Sequence, residues 1–313
     1  MHNLLSLPRP KMPHLAYGLT ESQLRAAAKN HVSKEVAGLT VSTIGGAFGP
    51  TWPVDGEHTL DFLKHFAGLK HLRIVLPNLT SLEPLRFVQD TLETLIIDGF
   101  EKPPKFSLGP IAHCRRLRWV GLVRAGKDLE VVWSLPELEE LSLTGFRTSD
   151  LTPAKPLKKL RMFYVGFGGL ENVEVLQMMP KLVAFQAMRT KGLSDLTPVA
   201  TLTDLQYLAL GDLAQVERFP DCSKLRKLRR AFLDTMNGIK DLTGLAKAPA
   251  LEELIVINSK ITADVFKPLV KHPKLKRATI GLASRKEEKA ADAAFGARAV
   301  SVFGTEFEQF TLR

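Results

Sequence analysis

The chain has 313 residues, 45% of them apolar and 24% charged, with 43 Lys and Arg against 33 Asp and Glu for a formal charge of +10. These fractions exclude a largely disordered or collagen-like chain and describe a globular protein able to bury a core. No run approaches the ~18–20 apolar residues that a membrane-spanning helix needs, so no membrane partner is expected.

At the start, only the Leu4–Leu7 stretch is apolar before Pro8 and Pro10, well short of the ~7–15 residues of a signal h-region. Cys114 and Cys222 lie far apart and suggest no disulfide framework. A cytoplasmic, reduced protein is the expectation. Thr20-Glu-Ser-Gln23 ahead of LRAAAKNHV has the form of a capping box opening a short helix, so residues 1–35 read as an N-terminal cap.

From there the form L-x-x-L-x-L governs the chain. Val36/Leu39/Val41 opens the series, and residues 45–59, rich in Gly and Pro and carrying Trp52, interrupt it as an insertion loop. The form continues at Leu69/Leu72/Ile74, Leu92/Leu95/Ile97, Leu117/Val120/Leu122, Leu138/Leu141/Leu143 and Leu157/Leu160/Met162. It returns at Leu182/Phe185/Ala187, Leu205/Leu208/Leu210, Leu228/Ala231/Leu233, Leu251/Leu254/Val256 and Leu275/Ala278/Ile280. Leu69 to Leu275 covers nine intervals of about 23 residues each. The fourth and sixth residues of each copy are apolar around a variable residue, the period of a half-buried strand. Such a short strand buries its inner face only by stacking on the next copy, so residues 36–283 read as one parallel solenoid. The return segments carry turn chemistry: Asp150-Leu-Thr-Pro153, Asp195-Leu-Thr-Pro198 and Asp241-Leu-Thr-Gly244 each suggest a capped helical turn with its Leu inward. Residues 284–313 form the closing cap, with a helix over Ser284–Phe295, Gly296 past its end and a last strand from AVSVF.

In this motif and its D-L-T-P return the sequence resembles the leucine-rich repeat proteins, nearest to the bacterial internalin type. The resemblance implies an α/β solenoid: a horseshoe with a concave parallel sheet of about eleven short strands and short helical or 3-10 turns on its convex side. It covers residues 36–283 and is specific for fold but not for function, because the fold serves many partners. One departure matters. Where the family places Asn, this chain has residues such as Phe146, Leu213, Met236 and Ser259, so an aliphatic- and phenylalanine-packed turn is expected. The family's repeat-bearing ubiquitin ligases carry a large catalytic domain after the repeats, and the ~30 residues left here are too few for one.

Little else suggests chemistry. The eight His residues contain no H-E-x-x-H and no pair four apart, so no metal site or cofactor is expected. Gly121-Leu-Val-Arg-Ala-Gly126-Lys127-Asp128 approaches a phosphate loop but ends in a carboxylate that would repel phosphate. Both cysteines read as core or turn residues. No catalytic constellation stands out, and an enzyme is not expected.

Positions three, five and seven of each repeat should face outward, onto the concave surface. On the numbering above they include Trp119, Val123, Arg161, Phe163, Met188, Tyr207, Arg230, Phe232, Ile255 and Ile257. Aromatic residues with interspersed Arg have the composition of an interface hot spot. The basic runs His113–Arg118, Leu157–Arg161, Lys224–Arg230 and His272–Arg277 fall at the strand entries, as an edge ridge. The expectation is therefore a non-enzymatic protein, monomeric when unbound, that holds a protein partner on its concave face. With no effector domain it would act by occlusion, as an inhibitor or toxin-neutralising immunity protein does. The alternative is a nucleic-acid-associated protein using the basic ridge, whose binding would fall steeply with salt.

Overall fold

A computed structural model describes residues 5–6, 10–33, 37–43, 56–98, 102, 104–124, 127–146, 148–301 and 310–313. Val36 and residues 45–55 of the expected insertion loop lie outside this set. The chain divides into two compact units, Pro8–Phe146, and Met1–Leu7 together with Arg147–Arg313. Strand β1 (Leu5–Ser6) belongs to the second of these.

The unit Pro8–Phe146 holds helix α1 (Glu21–Ser33) and six parallel strands: β2 (His14–Ala16), β3 (Gly38–Ser42), β4 (His71–Val75), β5 (Thr94–Asp98), β6 (Trp119–Val123) and β7 (Glu140–Thr144). Helix α1 starts as its capping box requires: the Thr20 N–H donates to Gln23 Oε1 at 2.9 Å and the Gln23 N–H to Thr20 Oγ1 at 3.4 Å. The strands pair in repeat register, so His71 of β4 lies beside Thr94 and Leu72 beside Leu95. Positions four and six, such as Leu72, Ile74, Leu141 and Leu143, are buried, while positions three, five and seven share the opposite face. Each fully buried Leu or Ile contributes about 1.5–3 kcal/mol, which makes the leucine ladder the main stabilising element.

The second unit repeats the plan with seven strands: β8 (Met162–Gly166), β10 (Ala184–Met188), β12 (Tyr207–Gly211), β13 (Arg230–Asp234), β14 (Glu253–Ser259), β15 (Arg277–Leu282) and β16 (Ala299–Val300). On the return side β9 (Gly169–Leu170) pairs with β11 (Lys191–Gly192). Helices α2 (Lys267–Val270) and α3 (Arg285–Phe295) follow, and β17 (Phe310–Thr311) pairs in parallel with β1. Ser284 caps α3 by accepting the Glu287 N–H at 3.4 Å, and Gly296 ends it with φ +56°. Eleven of these strands are the eleven expected repeats; β2 and β16 come from the cap segments, β16 from the AVSVF stretch.

Short 3-10 turns make the returns, as the D-L-T-P segments suggest. Asp150 Oδ1 accepts the Thr152 N–H at 2.7 Å, Asp195 Oδ1 that of Thr197 at 2.8 Å and Asp241 Oδ1 that of Thr243 at 2.8 Å, while Leu151, Leu196 and Leu242 are buried beneath them. Just past seven of the strands, the eighth repeat position adopts a left-handed conformation, at Arg124, Gly145, Phe167, Arg189, Asp212, Thr235 and Asn258. This turn aims its N–H at the neighbouring repeat: Phe167 donates to the Met188 carbonyl at 2.9 Å, Arg189 to that of Gly211 at 2.8 Å and Asp212 to that of Asp234 at 2.8 Å. A backbone ladder thus satisfies the groups exposed where the strand ends. At position nine, where Asn is missing, Phe146, Leu213 and Met236 are buried, the apolar turn expected from the sequence.

One repeat differs from its sequence reading. In β8, Phe163 pairs with Phe185 and Val165 with Ala187, which makes Leu160/Phe163/Val165 the repeat motif. The copy read at Leu157/Leu160/Met162 is three residues early. Phe163 is therefore a core residue, 1% exposed, its ring 6.2 Å from that of Phe185.

Candidate partner-binding face

Positions three, five and seven form what we term the odd face of each sheet. In the unit Pro8–Phe146 it carries half-buried Trp119 and Val123 on β6 with Gly121 between them. Gly121 lies against Ile96, whose nearest side-chain carbons are 3.5 Å from the place a Cβ would take, an ordinary contact distance. Beside them Arg73 pairs with Asp98 through an Nη2–Oδ2 contact of 2.7 Å. His71 sits 3.0 Å from the Thr94 hydroxyl, and burial pushes its imidazole below the usual pKa, toward the neutral form.

The odd face of the second unit is built differently from the expectation. Tyr207, Arg230, Phe232 and Ile255 do occupy it, side by side, but they are buried rather than water-facing. The cause is the chain's own segment Phe310–Arg313, which lies across them. Phe310 is buried in a cluster with Ala184, Tyr207, Ala209, Phe232 and Ile255, and Leu312 packs against the same cluster with Met162 and Ile257. The Phe310 ring lies 5.5 Å from that of Tyr207, and the guanidinium carbons of Arg229 and Arg230 each sit 5.0 Å from its centroid. Polar bonds hold the main chain: Arg229 Nη1 donates to the Thr311 carbonyl at 3.3 Å, Gln206 Nε2 to the Arg313 carbonyl at 2.5 Å, and the Arg313 N–H to Gln206 Oε1 at 2.8 Å. Phe310 and Leu312 point inward and Thr311 and Arg313 outward, the alternation of an extended strand.

Of the remaining expected residues, Met188 and Ile257 are half-buried on this face, with the Met188 thioether lying over Gly211. Arg161 falls at the entry of β8, not on the odd face; its carbonyl accepts the N–H groups of Val183 and Ala184 at 2.8 and 3.1 Å. Phe163 is in the core. Phe310, Leu312 and Gln206 went unrecognised in the sequence, although the alternation in Phe310-Thr-Leu312 was a usable strand signal.

Beneath Phe310 the Arg230 guanidinium meets the Glu253 carboxylate at 2.6 Å, with both side chains largely buried. Burial raises the Tyr207 phenol above its ordinary pKa. The basic runs meet acids of neighbouring repeats in the same way: Arg118 pairs with Glu139 at 2.8 Å, Lys227 with Asp204 at 2.5 Å and Lys276 with Glu252 at 3.6 Å. Cys114 and Cys222 are free and buried, and desolvation pushes both thiols up to about 12. Gly121 of the phosphate-loop-like stretch sits inside β6, and Asp128 bonds to the Ser107 hydroxyl. Among the described residues no group of His, Cys, Asp and Glu could hold a metal, and no helix is long and apolar enough to cross a membrane.

No protein-family model matches the sequence, and no curated protein sequence is significantly similar to it. Solved structures are similar in fold. An internalin, InlF, from Listeria monocytogenes has a TM-score of 0.54 at 13% identity, over 91% of this chain and 94% of that one. Internalin C2 of the same organism has a TM-score of 0.51 at 22% identity, over 68% of this chain and 91% of its own. A leucine-rich repeat protein of Leptospira interrogans aligns over 93% of this chain and 89% of its own at 13% identity, with a TM-score of 0.46. The chain has the internalin-like leucine-rich repeat fold.

Proposed function

We propose that the chain is a non-enzymatic recognition protein that holds a protein partner on the odd face of its strands. A fold of stacked parallel strands typically serves protein binding, since it offers a long row of side chains on one surface. The observation that carries the reading is the apolar row Tyr207, Phe232, Ile255 and Ile257 with Arg230 among it, which already accepts an extended segment, Phe310–Arg313. Anchoring aromatics and Arg on a surface that binds an extended chain have the composition of an interface hot spot. Occlusion of the partner, as by an inhibitor or immunity protein, is the narrower form of the proposal. Two free buried thiols suit a reducing, cytoplasmic setting.

Affinity capture from the native cytosol, with partners identified by mass, tests this. A protein retained by the wild-type chain should be lost with Met188→Asp and with Ile257→Asp, both at half-buried odd-face positions. Retention by both folded variants would contradict it. The nucleic-acid alternative is not favoured, because Arg118, Lys227 and Lys276 of the basic runs meet carboxylates of neighbouring repeats and so present less net charge to phosphate.

A further inference from the structure

We infer that the odd face of the second unit is gated by a two-strand strap, and that the N-terminal strand β1 is the latch that holds it shut. The inference rests on the protein-binding reading and concerns the regulation of that same face. Two observations carry it. Strand β17 is held by the repeats beneath it and also by the far end of the chain, since Leu5 lies beside Phe310 and Ser6 beside Thr311 in parallel register. Residues Met1–Leu7 accordingly join Arg147–Arg313 in one compact unit, while Pro8, the next residue, belongs to the other.

The second observation is the shortness of the strap. Strands β10, β12, β13 and β14 are each paired on both sides in one continuous ladder, whereas β1 and β17 form a separate sheet of two residue pairs. A ladder that short does not persist in water by itself. Its two strands also come from opposite ends of the sequence, so loop closure works against it. Strand β1 therefore stays in place only while Phe310 and Leu312 sit on the face, and β17 in turn gains a backbone partner from β1. The two strands leave together and uncover Tyr207, Phe232 and Ile255, so displacing the residues before Pro8 opens a face built by the later repeats. A partner that takes this face binds the open state, and its apparent affinity scales with the open fraction.

Locking and breaking the latch in the full chain test this. Ser6 and Thr311 are register partners, and a strand spacing of about 4.8 Å falls within the Cα range that a disulfide bridges. The oxidised Ser6→Cys/Thr311→Cys variant should slow amide exchange at Phe310–Arg313 at least tenfold. It should also retain at least tenfold less of the protein captured from the cytosol, with dithiothreitol restoring both. Leu5→Pro/Ser6→Pro, which removes the β1 donors, should speed the same exchange at least tenfold and leave β12 exchange unchanged. It should raise the fluorescence of added 1-anilinonaphthalene-8-sulfonate several-fold as the apolar row is uncovered. Failure of the disulfide to form, or unchanged exchange at Phe310–Arg313 in the proline variant, overturns the inference. Global unfolding of the proline variant would overturn it too, by making the strap part of the core. Capture that Met188→Asp abolishes but the oxidised lock leaves intact would sink the latch and leave the protein-binding reading standing.

Discussion

The side-chain amide of Gln206 closes a two-point clasp on the main chain of Arg313, donating from Nε2 at 2.5 Å and accepting at Oε1 at 2.8 Å. A carboxamide offers one donor and one acceptor side by side, the pair that a single residue of an extended chain presents. Because Gln206 is 7% exposed, both bonds replace water that could not easily return.

Removal of the clasp should therefore loosen the segment without unfolding the repeats. Gln206→Ala removes both hydrogen bonds to the Arg313 main chain, at a net cost of about 0.5–1.5 kcal/mol each. Amide exchange at Arg313 is expected to rise roughly tenfold to a hundredfold, while exchange in β12 stays slow. Unchanged exchange at Arg313 would show that the clasp does not hold the segment.

Phe163 and Met188 should separate core from face. Phe163→Ala empties a buried aromatic site and should cost about 3–5 kcal/mol, read as a large fall in the urea midpoint. Met188→Ala, at a half-buried odd-face position, should cost about 1 kcal/mol or less. Equal midpoints for the two variants would contradict the β8 register.

The two buried thiols should make stability fall in alkali. Each pKa is raised from 9.0 in the unfolded chain to about 12 in the folded one, so the folded state keeps protons that the unfolded state releases. Their contribution is complete below pH 9 and is lost as pH rises from about 9 to about 12, at up to about 1.4 kcal/mol per pH unit for each thiol. The urea midpoint of the wild type should fall faster over pH 9–10.5 than that of Cys114→Ala/Cys222→Ala. Parallel slopes would remove the thiols as the cause.

Ion pairs that look alike in sequence should differ in weight. The Arg118–Glu139 pair has Arg118 58% exposed and should be worth about 0–1 kcal/mol. Glu253→Ala instead removes the carboxylate that faces the largely buried Arg230 guanidinium, whose side chain is 4% exposed, and should cost about 3–5 kcal/mol. Thermal melts of Glu139→Ala and Glu253→Ala make the comparison, and similar shifts would contradict the burial of Arg230.

The repeat was legible because burying every third and then second residue of a short strand leaves a mark at fixed spacing, from Leu69 to Leu275. The Asp-Leu-Thr turns were legible because an Asp that caps its own turn does so locally, within two residues. Phe163 was misplaced because Leu157 and Leu160 are both buried and imitate the motif three residues early. Only the 22-residue distances from Leu138 to Leu160 and from Leu160 to Leu182 separate the two registers. The covering of Tyr207 and Phe232 was not legible, because it joins residues about a hundred positions apart, as in the Gln206–Arg313 clasp. An outward strand position in a repeat carries no mark of whether water or another part of the chain lies over it.

The most direct measurement follows Phe310 in the presence of a captured partner. Phe310 is 5% exposed in the free chain, so chymotrypsin should cut after it slowly. If the partner takes the face that the segment now covers, adding it should accelerate cleavage at Phe310, identified by the mass of the released fragment. Cleavage that stays slow or slows further on binding would place the partner elsewhere and contradict the account.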